Sequence, residues 1–287
     1  MPVLGAAGNA VRPPAVAGAF YPADPVDLAA QVDALLDAVA VPADDVLAPA
    51  YVVPHAGYRY SGPTAAHVYA RLRRHASEVS RLVVLGPAHR VPVEGSVVSG
   101  AARWRTPLGE VPVDPGAVTI ANDGYAVIDD VPHAPEHSIE VQLPFLQRAL
   151  GAVPVLPIVV GLSNVDDVVM TIASAVELEP AGTVVLCSTD LSHYLPDEQA
   201  RRQDARTAQA ILDLAPERIG AHDACGVFAL RGVVGWARRG GLRPELLQLA
   251  TSAETGGDPG RVVGYPAVAF SAPPPPSARS RRGGLPA

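Results

Sequence analysis

The sequence predicts a single α/β domain in which helices cover both faces of a central, mostly parallel or mixed β-sheet. Three short apolar segments carry this prediction, at residues 48–53, 81–85 and 183–187. Continuous apolar runs of this length are typical of strands that helices bury on both faces. Segments with apolar residues at helical spacing alternate with these runs. Because no change of composition divides the middle of the 287-residue chain, one domain accounts for the whole pattern.

The folded domain is expected to span residues 13–271. Its first helix begins near Asp24 and Pro25, which suit the N-cap and the first helical position. Residues 1–12 are rich in Gly and Ala, and residues 272–287 are rich first in Pro and then in Arg and Gly. Segments of this composition bury little apolar surface, so we expect both to be flexible tails.

The remaining elements follow from apolar spacing. Further helices are expected at residues 63–75, 136–150, 164–178, 196–214 and 225–239. Pro144 lies inside the segment 136–150 and predicts a kink or an early irregular turn. Short strands are expected within 95–113, at 153–160, and at 246–251 and 262–270. Pro154 and Pro157 favour an edge or irregular position for the strand at 153–160.

Composition excludes several classes of function. The chain has 22 Lys and Arg against 29 Asp and Glu, a net charge of −7, which argues against binding nucleic acid through a basic surface. No apolar run reaches the roughly 18 residues that span a bilayer, and no basic segment with a long apolar run opens the chain. Two cysteines do not make a disulfide scaffold. We therefore expect a cytoplasmic protein that binds neither nucleic acid nor membrane.

Three of the predicted buried strands end in a histidine. His55 and His89 follow the first two, and His193 follows the third, three residues after Asp190. Strand ends at one edge of an α/β sheet converge on the usual ligand crevice. Neutral imidazole is the commonest transition-metal ligand, and Asp190 could be a ligand or could orient a histidine. A single such histidine is more often a loop or cap residue, but three together favour a functional site.

The two cysteines occupy different predicted positions. Cys225 lies at the start of a predicted helix, where the helix N-terminus stabilises a thiolate. It is therefore a candidate soft ligand or redox thiol, with a small buried side chain as the alternative. Cys187 lies within a predicted strand and is expected in the core.

His137 and Glu140 are spaced i, i+3 near the start of the predicted helix 136–150. They would share one helix face and could form an acid/base pair that lines the pocket. The alternative is a charged first turn that interacts favourably with the helix dipole. The remaining histidines are expected to be surface or helix residues: His67, His75, His133 and His222.

Five separated motifs, in this order, resemble the Memo family, whose bacterial and archaeal members are called AmmeMemoRadiSam system protein B. The motifs are PHAGY at 54–58, GPAH at 86–89, EHSIEVQLP at 136–144, STDLSH at 188–193 and DACG at 223–226. The early segment AGAFYP at 17–22 is also similar to the family's opening. The resemblance extends from about residue 13 to residue 271.

The resemblance implies a fold like that of the class III extradiol dioxygenases, which use non-haem Fe(II). It implies that His55 and His89 are metal ligands, that Cys225 takes the position of the third ligand, and that Asp190 and His193 lie beside the site. A thiolate in place of a carboxylate widens the expected metal from Fe(II) to copper or zinc. The family name also implies radical-SAM and AMMECR-type partner proteins.

The leading hypothesis is a metal-dependent redox enzyme that admits oxygen and a small or modified substrate. His193 would move protons, with Asp190 orienting it or binding the metal. Tyr58 and Arg59 would line the mouth of the pocket, where Arg59 would suit an anionic substrate. Two alternatives remain open. One is a non-catalytic module that binds a peptide or protein, and the other is metal-assisted hydrolysis.

Overall fold

The structure, a computed structural model, describes residues 10–273. Within them the predicted α/β domain is confirmed. The helices are α1 (Pro25–Asp37), α2 (Tyr58–Arg74), α3 (Ala117–Asn122), α4 (Leu143–Leu150), α5 (Val165–Glu177), α6 (Asp197–Leu212) and α7 (Val227–Arg239). The strands are β1 (Val11–Arg12), β2 (Ala50–Val53), β3 (Arg81–Pro87), β4 (Ser96–Val98), β5 (Arg103–Thr106), β6 (Gly109–Pro112), β7 (Val127–Ile128), β8 (Val155–Val160), β9 (Thr183–Ser188), β10 (His193–Leu195), β11 (Arg243–Thr251) and β12 (Val262–Ser271).

The main sheet is mixed, with four parallel strands at its centre. Its order is β10-β12-β2-β9-β3-β8-β4-β7, and β11 pairs with residues 264–271 of β12. Strands β2, β9, β3 and β8 are parallel neighbours, whereas β12 and β4 run antiparallel beside them. The parallel strands therefore end at one edge of the sheet, and the segments that follow β2, β3 and β9 meet there. A smaller sheet has the order β1-β5-β6.

Helices cover both faces of the main sheet. Tyr51 and Val53 of β2 pack into a core with α1, α2 and α4. Ala50 and Val52 pack into a second core to which α3, α5, α6 and α7 contribute. Because successive side chains of a strand point to opposite faces, a strand between two helical layers must be apolar at every position. This explains the continuous apolar runs in the sequence.

Two helix starts show how local chemistry sets the boundaries. At α1 the side chain of Asp24 accepts hydrogen bonds from the amides of Val26 and Asp27, so the predicted N-cap is confirmed. Helix α2 instead begins at Tyr58, before Pro63, which lies inside it. There the Ser61 hydroxyl donates to the carbonyl of Ala56 at 2.7 Å and stabilises the earlier start.

The two sequence predictions about proline have different outcomes. The helix expected at 136–150 begins only at Leu143, after a 3₁₀ turn at Glu140–Gln142, so the early irregular turn is found. Pro144 lies in the first turn of α4, where the missing N–H costs no helical hydrogen bond. Strand β8 is not an edge strand, because it lies between β3 and β4. Its pairing with β4 covers only Ile158–Val160, so Pro157 lies beyond that ladder.

The N-terminal segment also differs from the prediction. Val11 and Arg12, expected within a flexible tail, form β1 and pair with β5. Arg12 is buried, and its guanidinium contacts the carboxylate of Glu140 at 2.7 Å. The rest of the predicted tails, at 1–9 and 274–287, lies outside the described residues. Among residues 10–273 no helix has the length and apolar character needed to cross a membrane.

Candidate metal centre

Three histidines meet at the edge where the parallel strands end. His55 follows β2, His89 follows β3, and His137 lies in the segment before α4. One ring nitrogen of each lies within 4.8 Å of the corresponding nitrogens of the other two. The ring centroids of His89 and His137 are 4.6 Å apart, and the ring of His55 stands almost perpendicular to that of His137. His55 and His137 are buried, whereas His89 is more exposed.

A buried hydrogen-bond network orients His55. The Ser188 hydroxyl lies 2.6 Å from the carbonyl of Ser138, to which it must donate its single proton. The amide nitrogen of Gln142 donates to the same hydroxyl at 2.7 Å and also to the carbonyl of Pro54. The remaining contact, 2.8 Å to Nδ1 of His55, therefore requires Nδ1 to donate. In neutral His55 the lone pair is consequently on Nε2.

The carboxylate of Glu136 orients the second histidine. It accepts from Nδ1 of His89 at 2.9 Å and from the backbone amides of His89, His137 and Ser138. Burial would raise the pKa of Glu136, but His137 and His89 outweigh burial and hold that pKa well below its usual range. The anionic carboxylate fixes a proton on Nδ1 of His89 and leaves Nε2 to accept.

Electrostatics keep His55 neutral. Burial lowers its pKa well below the usual value, and the neighbouring His89 and His137 lower it further. A proton on His55 would be costly because its ring is buried away from water, which disfavours the charged form. His55 therefore presents an unprotonated nitrogen, as a metal ligand requires.

Cys225 lies against the cluster. Its Sγ is 3.3 Å from Nε2 of His55 and accepts from the backbone amide of Asp190 at 3.3 Å. Backbone hydrogen bonds from Asp190 and from Gly226, just before α7, lower the pKa of Cys225, but other effects outweigh them. Burial, with the nearby Asp190 carboxylate, raises the pKa of the Cys225 thiol to about 12. In the metal-free chain Cys225 is therefore a protonated thiol.

Asp190 and His193 lie beside the cluster, but their partners differ from the prediction. Oδ1 of Asp190 accepts from the backbone amide of His55 at 2.8 Å. Nδ1 of His193 donates to the carbonyl of Leu191 at 2.8 Å, so that carbonyl, and not Asp190, orients the ring. Burial raises the pKa of Asp190. Asp190 thus anchors the loop that carries His55.

The cluster opens into a cavity of about 550 Å³. Its walls combine the site residues with aromatic side chains and one arginine: Phe20, His55, Ala56, Gly57, Tyr60, His89, Arg90, His137, Asp190, His193, Tyr194, Cys225, Val263 and Tyr265. The Phe20 ring contacts His137, with centroids 4.7 Å apart. The cavity is large enough for a small organic molecule.

Three predicted pocket residues do not line this cavity. Tyr58 is buried, and its hydroxyl donates to the carbonyl of Val141 at 2.6 Å. Arg59 is exposed and lies over the ring of Tyr60. Glu140 is fully buried and accepts from Arg12 and Tyr21. Because no regular helix forms over 136–142, His137 and Glu140 do not share a helix face, and Glu140 stabilises the N-terminal segment instead.

Sequence reasoning missed several residues of the site. Glu136, Gln142 and Ser188 lie within the quoted motifs, but only their partners across the sheet reveal their roles. Arg90, directly after His89, lines the cavity and was not predicted to do so. His133, expected at the surface or on a helix, is completely buried, and burial lowers its pKa to about 4.

Comparison with known proteins agrees with the motifs. The model of a family described as Memo-like protein matches residues 12–269. A MEMO1 family protein of Methanopyrus kandleri is 38% identical over 280 residues, covering 90% of this chain and 98% of the relative. A MEMO1 family protein of Aeropyrum pernix is 37% identical over 279 residues, covering 90% and 99%. One of Sulfolobus acidocaldarius is 38% identical over 285 residues, covering 91% and 99%. The chain therefore belongs to the Memo family.

Proposed function

We propose that this protein is a metal-dependent redox protein that binds one transition metal, expected to be iron, and oxidises a small or modified substrate with oxygen. The observation that carries the proposal is the convergence of His55, His89 and His137, whose ligand nitrogens lie within 4.8 Å of one another. The hydrogen bonds to Ser188 and Glu136 support it. They keep a proton on Nδ1 of His55 and of His89, which leaves Nε2 of each ring free to bind a metal.

The donor chemistry fits a transition metal. Imidazole nitrogen and cysteine sulfur select iron, copper or zinc over magnesium and calcium, which prefer oxygen. Nδ1 of His137 lies 3.2 Å from Oε1 of Glu136, the carboxylate that also accepts from His89. Glu136 thus contacts two of the three histidines, as carboxylates that orient metal-ligating histidines do.

His55, His89 and Cys225 are the proposed ligands, with His137 as a further candidate. The contact of 3.3 Å between Sγ of Cys225 and Nε2 of His55 supports a shared ion. Because ligand thiols bind as thiolates, metal binding at Cys225 would release the proton that burial retains in the free chain. Copper and zinc remain alternatives to iron for this mixed nitrogen and sulfur donor set.

The metal, when bound, would supply redox chemistry and Lewis acidity. His193 would move protons, since the carbonyl of Leu191 holds its Nδ1 proton and leaves Nε2 to exchange one with a substrate. Asp190 would hold the loop of His55 in place through the backbone amide. Phe20 and Tyr60 would pack against the substrate and exclude water from one side of the cavity.

Metal analysis of protein purified without oxygen tests this proposal. We expect close to one metal ion per wild-type chain, and its loss from His55→Ala and from Cys225→Ser. His67→Ala is the matched control, because His67 lies on α2 outside the cluster. The metal content of His137→Ala shows the role of His137: a decrease indicates a fourth ligand, and an unchanged content indicates a residue that only lines the cavity. Unchanged metal in the first two variants, or no metal under any loading condition, would contradict the proposal.

Oxygen consumption by the metal-loaded protein then tests turnover with catechols and thiols as substrates. Consumption that disappears in His193→Gln with the metal retained supports the redox role. Metal binding without oxygen consumption favours the non-catalytic binding module. The radical-SAM and AMMECR-type partners stay part of the proposal, and co-purification from cells that express the three proteins together tests them.

A further inference from the structure

A second cavity lies next to the proposed metal centre. It has a volume of about 500 Å³. His193 and Cys225 line it, and both also line the cavity that contains the histidine cluster. Two side chains therefore separate the two spaces. We call the cavity at the histidine cluster the histidine cavity. The second cavity, which Leu191, Gln203 and Ala221 also line, is called the outer cavity.

The outer cavity has ordered walls. The segment before α7 forms one wall, and the backbone amide of Gly220 donates there to the carboxylate of Asp223 at 2.6 Å. The side-chain amide of Gln203, on α6, donates to the carbonyl of His222 and to Asp223. The backbone amide of Cys225 donates to the carbonyl of Asp190 at 3.2 Å. These bonds tie the wall to α6 and to the end of β9.

The two cavities differ in charge. Arg90 and Asp190 line the histidine cavity. No Asp, Glu, Lys or Arg is among the described residues that line the outer cavity, whose polar side chains are His193, His222 and Gln203. Leu191, Leu195 and two alanines supply apolar surface. Because a charged molecule would lose hydration there without gaining a counter-charge, the outer cavity suits a small uncharged molecule that can hydrogen bond.

We propose that the outer cavity is a second access and binding site, through which a small uncharged polar molecule reaches Cys225 and His193 separately from the substrate. The biological use of this molecule, as a co-reactant at the metal, rests on the proposed function. The access route itself does not. It requires only that the Cys225 thiol can be reached through the outer cavity without passing the histidine cluster.

Thiol labelling of the full-length chain in the presence of a chelator tests the route. The probe is methyl methanethiosulfonate, a small neutral reagent that forms a mixed disulfide with a thiol and releases methanesulfinate. Peptide mass spectrometry follows labelling at Cys225 separately from the buried Cys187. Ala221→Trp narrows the outer cavity from an exposed loop position, and Ala221→Ser is its matched control. Arg90→Trp narrows the histidine cavity.

We expect Ala221→Trp to slow labelling of Cys225 about tenfold, since thiol reactivity depends on access. Ala221→Ser and Arg90→Trp should label at rates close to wild type. An anionic methanethiosulfonate should react more slowly than the neutral probe in Arg90→Trp, where the outer cavity is the remaining route. Labelling of Ala221→Trp at the wild-type rate, or loss of labelling in Arg90→Trp alone, would overturn the proposal.

Two further measurements keep the outcomes separate. Leu195→Trp narrows the outer cavity from β10 and replaces Ala221→Trp if that variant unfolds. The metal content of Ala221→Trp should equal that of wild type, because the substitution does not touch the histidine cluster. If neither wild type nor any variant binds metal, the proposed function is contradicted. Slowed labelling of Cys225 in Ala221→Trp would still support the access route in that case.

Discussion

Replacing Ser188 with alanine tests the hydrogen bonds that orient His55. The hydroxyl of Ser188 contacts three groups, at 2.6 Å from the carbonyl of Ser138, 2.7 Å from the amide of Gln142 and 2.8 Å from Nδ1 of His55. Ser188 is fully buried. Its loss removes the acceptor that holds the proton on Nδ1 of His55, so the tautomer with the proton on Nε2 becomes competitive.

The expected magnitudes follow from these contacts. The substitution leaves the Ser138 carbonyl and the His55 N–H without a partner, whereas Gln142 keeps its bond to Pro54. Each buried group without a partner costs about 1–3 kcal/mol, so we expect the two together to lower the free energy of unfolding by about 2–6 kcal/mol. Loss of a hydrogen bond that orients a ligand lowers metal affinity by about 10- to 100-fold, which corresponds to about 1.4–2.8 kcal/mol.

Competition with a fluorescent chelator measures the metal affinity, and urea denaturation of the metal-free protein measures the stability. Ser192→Ala is the matched control. Ser192 is also buried, but its hydroxyl bonds to the carboxylate of Asp204. This control should lose stability and keep its metal affinity. If Ser188→Ala loses stability but binds metal within about twofold of wild type, the argument from hydrogen bonding is wrong.

Three further predictions concern stability and the site. The pKa of about 4 for buried His133 means that the folded chain binds fewer protons there than the unfolded chain below pH 6.5, so stability should fall as pH drops from 6.5 to 4. Urea denaturation should show this fall, up to about 1.4 kcal/mol per pH unit, in wild type relative to His133→Phe, and parallel profiles would refute it. Arg12→Met leaves Glu140 buried without its cation and should lower the free energy of unfolding by about 3–5 kcal/mol, and adding Glu140→Gln should restore part of it. A decrease below about 1 kcal/mol in urea denaturation would contradict a buried ion pair. Glu136→Gln removes the anion that accepts from His89 and should weaken metal binding about 10-fold or more without changing the cavity's aromatic walls. Chelator competition measures the affinity, and an unchanged value would show that Glu136 only holds backbone amides in place.

The strands and most helices could be predicted because their evidence is local. Apolar residues in β2, β3 and β9 are adjacent in the chain, and the N-cap at Asp24 acts within three residues. The convergence of His55 and His89 could also be predicted, since parallel strands end at one sheet edge. Proline was a poorer guide in β8, because hydrogen bonding to the neighbouring strands decides whether the missing N–H of Pro157 matters.

Contacts between distant residues could not be predicted. Ser188 is 133 residues from His55, and Arg12 is 128 residues from Glu140. No periodicity along the chain records such a pair. His137 lies in the histidine cluster and Glu140 does not. Residues 136–142 do not form the α-helix on which the i, i+3 argument depended.

The α/β architecture, the family and the strand ends at which a site forms can be inferred from the chain alone, because burial on two faces and the motifs are properties of neighbouring residues. The chemical state of the site depends on the three-dimensional arrangement. The neutral His55, the anionic Glu136 and the protonated thiol of Cys225 depend on burial and on charges from other segments. These are long-range effects, since desolvation and electrostatics act through space and not along the chain.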